Sequence, residues 1–296
     1  MRAGSALLSC CSGFVFALIA TSVTAAEPAE IVLWPEGHPE PRVVADMPEK
    51  VEVGKDGIAR RYNVTNPRLH VYPAGDNRSG AAAIVVPGGG FGILADGHEG
   101  AEACEWLQRL GVTAFLLVHR CPTNKHTEPN AGPVQDLQKG IEIVRQRAAE
   151  WQVDPKKIGV LGFSAGGQVT LIAATNDRRF PGEPPTGVTH RPDFLLLAYP
   201  YRIYDEPAKA LRADIKLDGP LPPMFIAQCA DDKGSLPQGS TLLFLELINR
   251  KIPAELHVYE RGGHGYGMRP RPMATGPTDW PLRAADWLRQ HELVRP

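Results

Sequence analysis

From about residue 69 onward, short apolar runs alternate with longer amphipathic stretches. Residues 69–72 and 81–86 read as strands, and 112–118 (VTAFLLV) is a near-continuous apolar run. That last pattern is expected of a strand buried on both faces of a parallel sheet. Between them, 100–110 sets Ala101, Cys104, Leu107 and Leu110 at helical spacing. The second half repeats the grammar. Pro133 opens a helix running to Trp151 with Leu137, Ile141 and Val144 on one face. Proline suits a first helical turn because its missing N–H has no intrahelical partner there. The runs 158–163, 194–199, 224–229 and 256–259 read as strands; 166–175, 242–251 and 282–293 read as helices. Strict alternation of this kind predicts an α/β fold: a mostly parallel central sheet with helices on both faces and right-handed crossovers. Sites on such sheets lie at the carboxyl ends of the strands.

The first part of the chain breaks the pattern. Residues 27–68 are rich in proline and charge and lack apolar periodicity, so they are expected to form an extended lead-in packed over a catalytic domain at 69–296. Residues 1–26 read as an export signal: Arg2, an apolar stretch at 10–20 too short to span a bilayer, and Thr24-Ala25-Ala26 before Glu27. This predicts a periplasmic or extracellular protein. No later run is long and apolar enough to suggest a membrane span. The 32 basic and 33 acidic side chains nearly cancel, leaving no charge-based case for nucleic acid, an anionic membrane or a polyanion. Cleavage would leave Cys104, Cys121 and Cys229, which allow at most one bridge, so the fold does not rest on a disulfide framework. Cys229, in an apolar run, reads as a small buried hydrophobe. Trp106, Trp151 and Trp287 fall on the expected helices and read as packing residues.

Gly162-Phe163-Ser164-Ala165-Gly166 is a G-x-S-x-G pentapeptide. Alone the pattern is weak; its force comes from the strand before it and the helix after it, the setting of a sharp turn that exposes a serine. A serine hydroxyl needs a base, and in this architecture the chain order is serine, acid, histidine. His264, in Arg261-Gly262-Gly263-His264-Gly265-Tyr266-Gly267, follows the last strand and supplies the base. The other histidines lack this position, and most are expected at the surface or in local hydrogen bonds. The acid should follow strand 224–229, where Asp231 and Asp232 both stand; the register of the following loop, with Pro237 and Ser240 at its turns, favours Asp232. Its task is to orient the imidazole and stabilise the imidazolium. Pro87-Gly88-Gly89-Gly90-Phe91-Gly92 follows strand 81–86, where backbone N–H groups can face a developing oxyanion. Gly89 and Gly90 are assigned that role, with Ala165 as partner donor and Phe91 as a candidate substrate contact. A phosphate-binding loop would end in Lys-Ser/Thr, which is absent here. No metal or organic cofactor is implied.

With these residues placed, the chain resembles the bacterial α/β-hydrolase esterases grouped with acetyl xylan esterases, including secreted members loosely labelled xylanases. The resemblance runs through Leu33-Trp34-Pro35-Glu36-Gly37, Asn63-Val64-Thr65-Asn66-Pro67, the glycine loop, the serine pentapeptide, Ala254-Glu255-Leu256-His257-Val258-Tyr259-Glu260 and Gly262-Gly263-His264-Gly265. It implies a serine esterase acting on small esters or an acetylated polysaccharide, with Ser164 as nucleophile, Asp232 as acid and His264 as base. Two places depart from the pattern and bear on the pocket: His119-Arg120-Cys121-Pro122, where relatives usually have tyrosine before the arginine, and Lys233-Gly234-Ser235-Leu236, which lacks the usual valine-rich acid loop. A glycosidase would need two carboxylates across a sugar ring, whereas Asp231 and Asp232 are adjacent. Two alternatives fit the same grammar. A prolyl oligopeptidase-type peptidase normally carries a large propeller or lid, yet only 27–68 precede the first strand. A non-catalytic polysaccharide-binding protein would lack a triad member, and none is missing.

Overall fold

Eight strands form one sheet: β1 (Glu30–Val32), β2 (Arg68–Tyr72), β3 (Ala82–Val86), β4 (Thr113–Val118), β5 (Ile158–Phe163), β6 (Leu195–Ala198), β7 (Met224–Cys229) and β8 (Ala254–Tyr259). Their spatial order is β1-β2-β4-β3-β5-β6-β7-β8. The computed structural model describes residues 1, 29–43, 46–269 and 277–296; the expected export signal, Met1 apart, lies outside the described residues. β4, β3, β5, β6, β7 and β8 are mutually parallel, with Ile84 opposite Val160 and Val160 opposite Leu195. β1 and β2 are antiparallel additions at one edge.

Alternation along the strands sorts the core into two layers. Ile84, Val86, Phe115, Leu117, Val160 and Leu197 face α2 (Ala131–Gln146), α3 (Ser164–Thr175) and α4 (Pro237–Asn249). Ala83, Val85, Leu116, Leu161, Phe163 and Phe225 face α1 (Glu102–Arg109) and α5 (Trp280–Gln290). β3 through β7 are buried along their whole length, which is why they read as unbroken apolar runs. Each fully buried Leu or Phe contributes roughly 1.5–3 kcal/mol relative to exposure. The arrangement is the α/β-hydrolase fold.

Several boundaries differ from the expectation. The lead-in is less irregular than its composition suggests: Glu30–Val32 joins the main sheet, and Lys50–Val53 pairs with Ala59–Tyr62 as a separate ribbon. The helix expected from residue 100 begins as a π-helical turn, Gly97–Ala101, before α1. Pro237 and Ser240 lie in the first turn of α4 instead of in the loop before it; Pro237 opens the helix, where its missing N–H has no intrahelical partner to lose. His70, His98 and His119 are buried, and His119 Nδ1 lies within hydrogen-bond distance of the adjacent Arg120 O, the local bonding that was the other expectation. Trp106 and Trp287 are buried, and Trp151 packs edge-on against Phe115. Cys104, Cys121 and Cys229 are buried and none is in a disulfide.

The lead-in is fastened by Arg120, a fully buried side chain at the end of β4. Its guanidinium donates to both oxygens of Asp136 on α2, to the carbonyls of Pro39, Pro41 and Gly132, and to Gln135 Oε1. Every donor is used, as burial of a charge requires. Removing one partner of such a pair leaves the other charge unpaired, at about 3–5 kcal/mol. Asp136→Asn should therefore lower stability by about that amount in denaturant unfolding. Burial also holds the His119 imidazole neutral, with its pKa below the ordinary 6.5; His70 and His190 shift the same way. The unfolded chain then takes up protons at a pH where the folded chain does not, so stability is full above about pH 6.5 and falls as pH drops through that value. Tm should decline between pH 7.5 and 5.5, and His119→Asn should flatten that decline.

Candidate active site

β5 delivers Phe163 in extended conformation, and the chain then turns at once into α3. Ser164 sits at the turn with φ +48°, a left-handed conformation that costs a side-chain-bearing residue of order 1–3 kcal/mol unless its surroundings enforce it. They do so by close approach. A Cβ on Gly166 would collide with the carbonyl oxygen of Val86 at the end of β3, and one on Gly162 would collide with Thr170. Glycine at both places lets β3, β5 and α3 meet around the serine.

The loops after β7 and β8 converge on that turn. Ser164 Oγ lies 2.7 Å from His264 Nε2, and His264 Nδ1 lies 2.9 Å from Asp232 Oδ2. Asp232 is 2% exposed. Its Oδ1 accepts the N–H groups of Gly234 and Ser235, both at 2.8 Å, and its Oδ2 also accepts from Gln228 Nε2 at 3.2 Å. The carboxylate is thereby fixed and solvated by the chain itself. Asp231 is exposed and points elsewhere: its Oδ1 accepts the Gly263 N–H at 2.8 Å. That bond from the backbone lowers the Asp231 pKa and ties the acid loop to the residue before His264.

The glycine loop after β3 runs beside the serine. A Cβ on Gly88 would fall 2.7 Å from Ser164 Cβ. Gly89, Gly90 and Phe91 follow with φ of +127°, +61° and +64°. The loop is closed by Gly92 N–H to Gly89 O and Ala95 N–H to Gly88 O. Among the described residues, the N–H groups of Gly89 and Gly90 have no acceptor, and Ala165, in the first turn of α3, has none within its helix. Phe91 is buried, its ring 6.5 Å edge-on from Tyr201. Of the seven residues singled out in the sequence, Ser164, His264 and Asp232 are joined by hydrogen bonds, Ala165 follows Ser164 in α3, and Gly89, Gly90 and Phe91 continue the loop whose Gly88 abuts Ser164.

Both departures from the family pattern can be placed. His119 lies beneath the glycine loop, Nδ1 3.0 Å from Arg120 O and Nε2 3.4 Å from Pro87 O. Gly234 packs against the His264 ring, where a Cβ would stand 3.0 Å from Cγ. Beside it opens a cleft of ≈ 480 Å³ lined by Tyr201, Tyr204, Asp205, Arg212 and Lys233 among others. Tyr201 borders both regions: its N–H donates to Ser164 O, and its ring is 6.3 Å from that of His264.

Two polar residues beneath the site escaped the sequence reading. Glu99 is 3% exposed and accepts the Gly88 N–H and the Tyr199 hydroxyl, each at 2.8 Å. Tyr199, fully buried with φ +39°, packs its ring 5.1 Å from that of His264. Burial and the neighbouring Glu99 raise its phenol pKa well above the ordinary value. A lone glutamate before a helix and a tyrosine after a strand carry no sequence pattern that separates them from surface and core residues.

Comparison with known proteins agrees with this architecture. Residues 70–185 match the BD-FAE family model. The chain is 31% identical over 215 residues to an acetylxylan esterase of Xylanibacter ruminicola, covering 65% of this chain and 42% of that protein. It is 26% identical over 219 residues to endo-1,4-beta-xylanase B of Butyrivibrio fibrisolvens, covering 67% of this chain and 34% of that protein. The chain thus spans less than half the length of either curated relative. The acetyl ester-xyloside bifunctional hydrolase of Caldicellulosiruptor lactoaceticus superposes with a TM-score of 0.70 at 25% identity, over 92% of this chain and all of that one. The resemblance to acetyl xylan esterases expected from the motifs is found in both sequence and structure.

Proposed function

We propose that the chain is a serine carboxylic-ester hydrolase whose substrate is an acetylated carbohydrate. The observation that carries this reading is the hydrogen-bonded series Ser164 Oγ, His264 Nε2, His264 Nδ1, Asp232 Oδ2, at 2.7 and 2.9 Å. Ser164 Oγ attacks the ester carbonyl as His264 Nε2 takes its proton. Asp232 holds the imidazole in the tautomer with a proton on Nδ1 and stabilises the imidazolium that forms. The N–H groups of Gly89, Gly90 and Ala165 face the carbonyl oxygen as it gains charge; one such donor is worth about 10²–10³ in turnover. The proton on His264 passes to the leaving alkoxide. Water, deprotonated by His264, then releases the acid from the acyl-enzyme.

The substrate half of the proposal rests on two supports. The relative in Xylanibacter ruminicola is an acetylxylan esterase, and the cleft beside His264 is lined by tyrosine and charged side chains, which suit a hydroxyl-rich alcohol better than an alkyl one. Export by residues 1–26 would bring the enzyme to such a polymer.

Ser164→Ala should abolish acetate release from both p-nitrophenyl acetate and acetylated xylan; retained activity would overturn the hydrolase reading. Asp232→Asn should lower kcat by about 10⁴, while Asp231→Asn should stay within about tenfold of wild type because its bond is to backbone only. The reverse order would make Asp231 the acid. Release from p-nitrophenyl acetate without release from acetylated xylan would overturn the substrate half alone.

A further inference from the structure

Glu99 receives a donor from each side of the site. Gly88, whose N–H it accepts at 2.8 Å, precedes the two glycines assigned to the oxyanion and lies against Ser164. Tyr199, whose hydroxyl donates to the other carboxylate oxygen, in turn accepts the Gly267 N–H at 2.8 Å. Gly267 stands three residues beyond His264, and its carbonyl accepts from Trp280 Nε1. A single buried path therefore runs Gly88 N–H, Glu99, Tyr199 O–H, Gly267 N–H, linking the loop after β3 to the loop after β8. The neighbouring His98 reinforces the second end: its carbonyl accepts the Met268 N–H, and its Nε2 lies 3.3 Å from Gly265 O.

We propose that Glu99, acting through Tyr199, is a positioning residue that sets the distance between the oxyanion donors and the His264 imidazole. The proposal rests on the hydrolase reading above. The chemistry of the side chain supports it. Two donors converge on Glu99, one on each oxygen, and a carboxylate accepts at both. A glutamine of the same shape would turn an N–H toward one of those donors. Tyr199 likewise uses both capacities of its hydroxyl, giving one hydrogen bond and taking one. The path touches neither the triad's hydrogen bonds nor the cleft beside His264. Its loss should therefore leave substrate binding in place and misplace the reacting groups. A displacement of about 1 Å in such geometry can cost 10²-fold in rate.

The test uses the full-length protein with p-nitrophenyl acetate, comparing Glu99→Gln, Tyr199→Phe and the double variant, each checked for native circular dichroism and assayed well below its Tm. Each single variant should lose about 10- to 100-fold in kcat with KM within about threefold. Because both act on one path, the double variant should lose no more than the worse single. Folded single variants with kcat within about twofold of wild type, or losses that multiply in the double variant, would overturn the proposal. If Glu99→Gln does not fold, Tyr199→Phe, which keeps the ring and removes only the hydroxyl, decides the matter by the same kcat and KM criteria. Ser164→Ala, assayed alongside, separates the two failures: activity in that variant removes the hydrolase reading, whereas an inactive Ser164→Ala beside fully active Glu99 and Tyr199 variants removes only the positioning role.

Discussion

Ser164 is held at φ +48°, and the rest of the site is arranged around the cost of keeping it there. The conformation persists only if neighbouring backbone denies the chain any other path. Three segments do this. The end of β3 presses on Gly166, α3 turns back on Gly162, and Gly88 lies against the serine Cβ. None of these contacts tolerates a side chain, so the glycines before and after Ser164 and the glycine after Pro87 belong to one packing problem. The long buried strands on either side supply the rigidity that this turn requires. β3 and β5 are paired in register from Ala82–Ile158 to Val86–Gly162, which fixes the two loops relative to each other before any side chain of the site is considered.

The adjacent acids illustrate how backbone direction gives two neighbouring carboxylates different surroundings. Asp232 turns inward, where two backbone N–H groups, Gln228 and His264 satisfy it; Asp231 turns outward and reaches the Gly263 N–H. A buried carboxylate lacking those donors would be strongly disfavoured, and an exposed one holds an imidazole more weakly because water competes for it. The loop 232–235 wraps its own carboxylate, which explains why it needs a glycine at 234: the same residue must also leave room for the His264 ring.

Strands and helices were legible because burial on both sheet faces leaves an unambiguous apolar run, as in 112–118. The serine, histidine and glycine loops were legible because their conformations demand particular residues at particular spacings. What stayed hidden shares a different character. β1 comes from the lead-in and has three residues, too few for a period to register. Arg120, Glu99 and Tyr199 are polar groups whose burial depends on partners outside their own elements, some of them far away in sequence; Glu99 and Tyr199 are 100 residues apart. Composition places an arginine or a glutamate at the surface by default, and only the folded chain reveals that every one of their hydrogen-bonding groups has been met inside.

The same distinction separates the chemistry from the substrate. The groups proposed to react are held by backbone geometry that few residues can provide, whereas the cleft beside His264 is lined by Tyr204 and Asp205 of a two-stranded ribbon and by side chains outside the turn. Arg212 there is neutralised by Asp214, which accepts from two of its nitrogens, and Lys233 and Arg202 line the same cleft as Asp205 and Glu206. Opposed charges of this kind produce little long-range field to steer an ionic polymer. They do provide many donors and acceptors at short range. Under the proposed function, a neutral, hydroxyl-bearing alcohol would gain most from such a surface, and carbohydrate specificity would reside in the cleft walls, independent of the machinery that would cleave the ester.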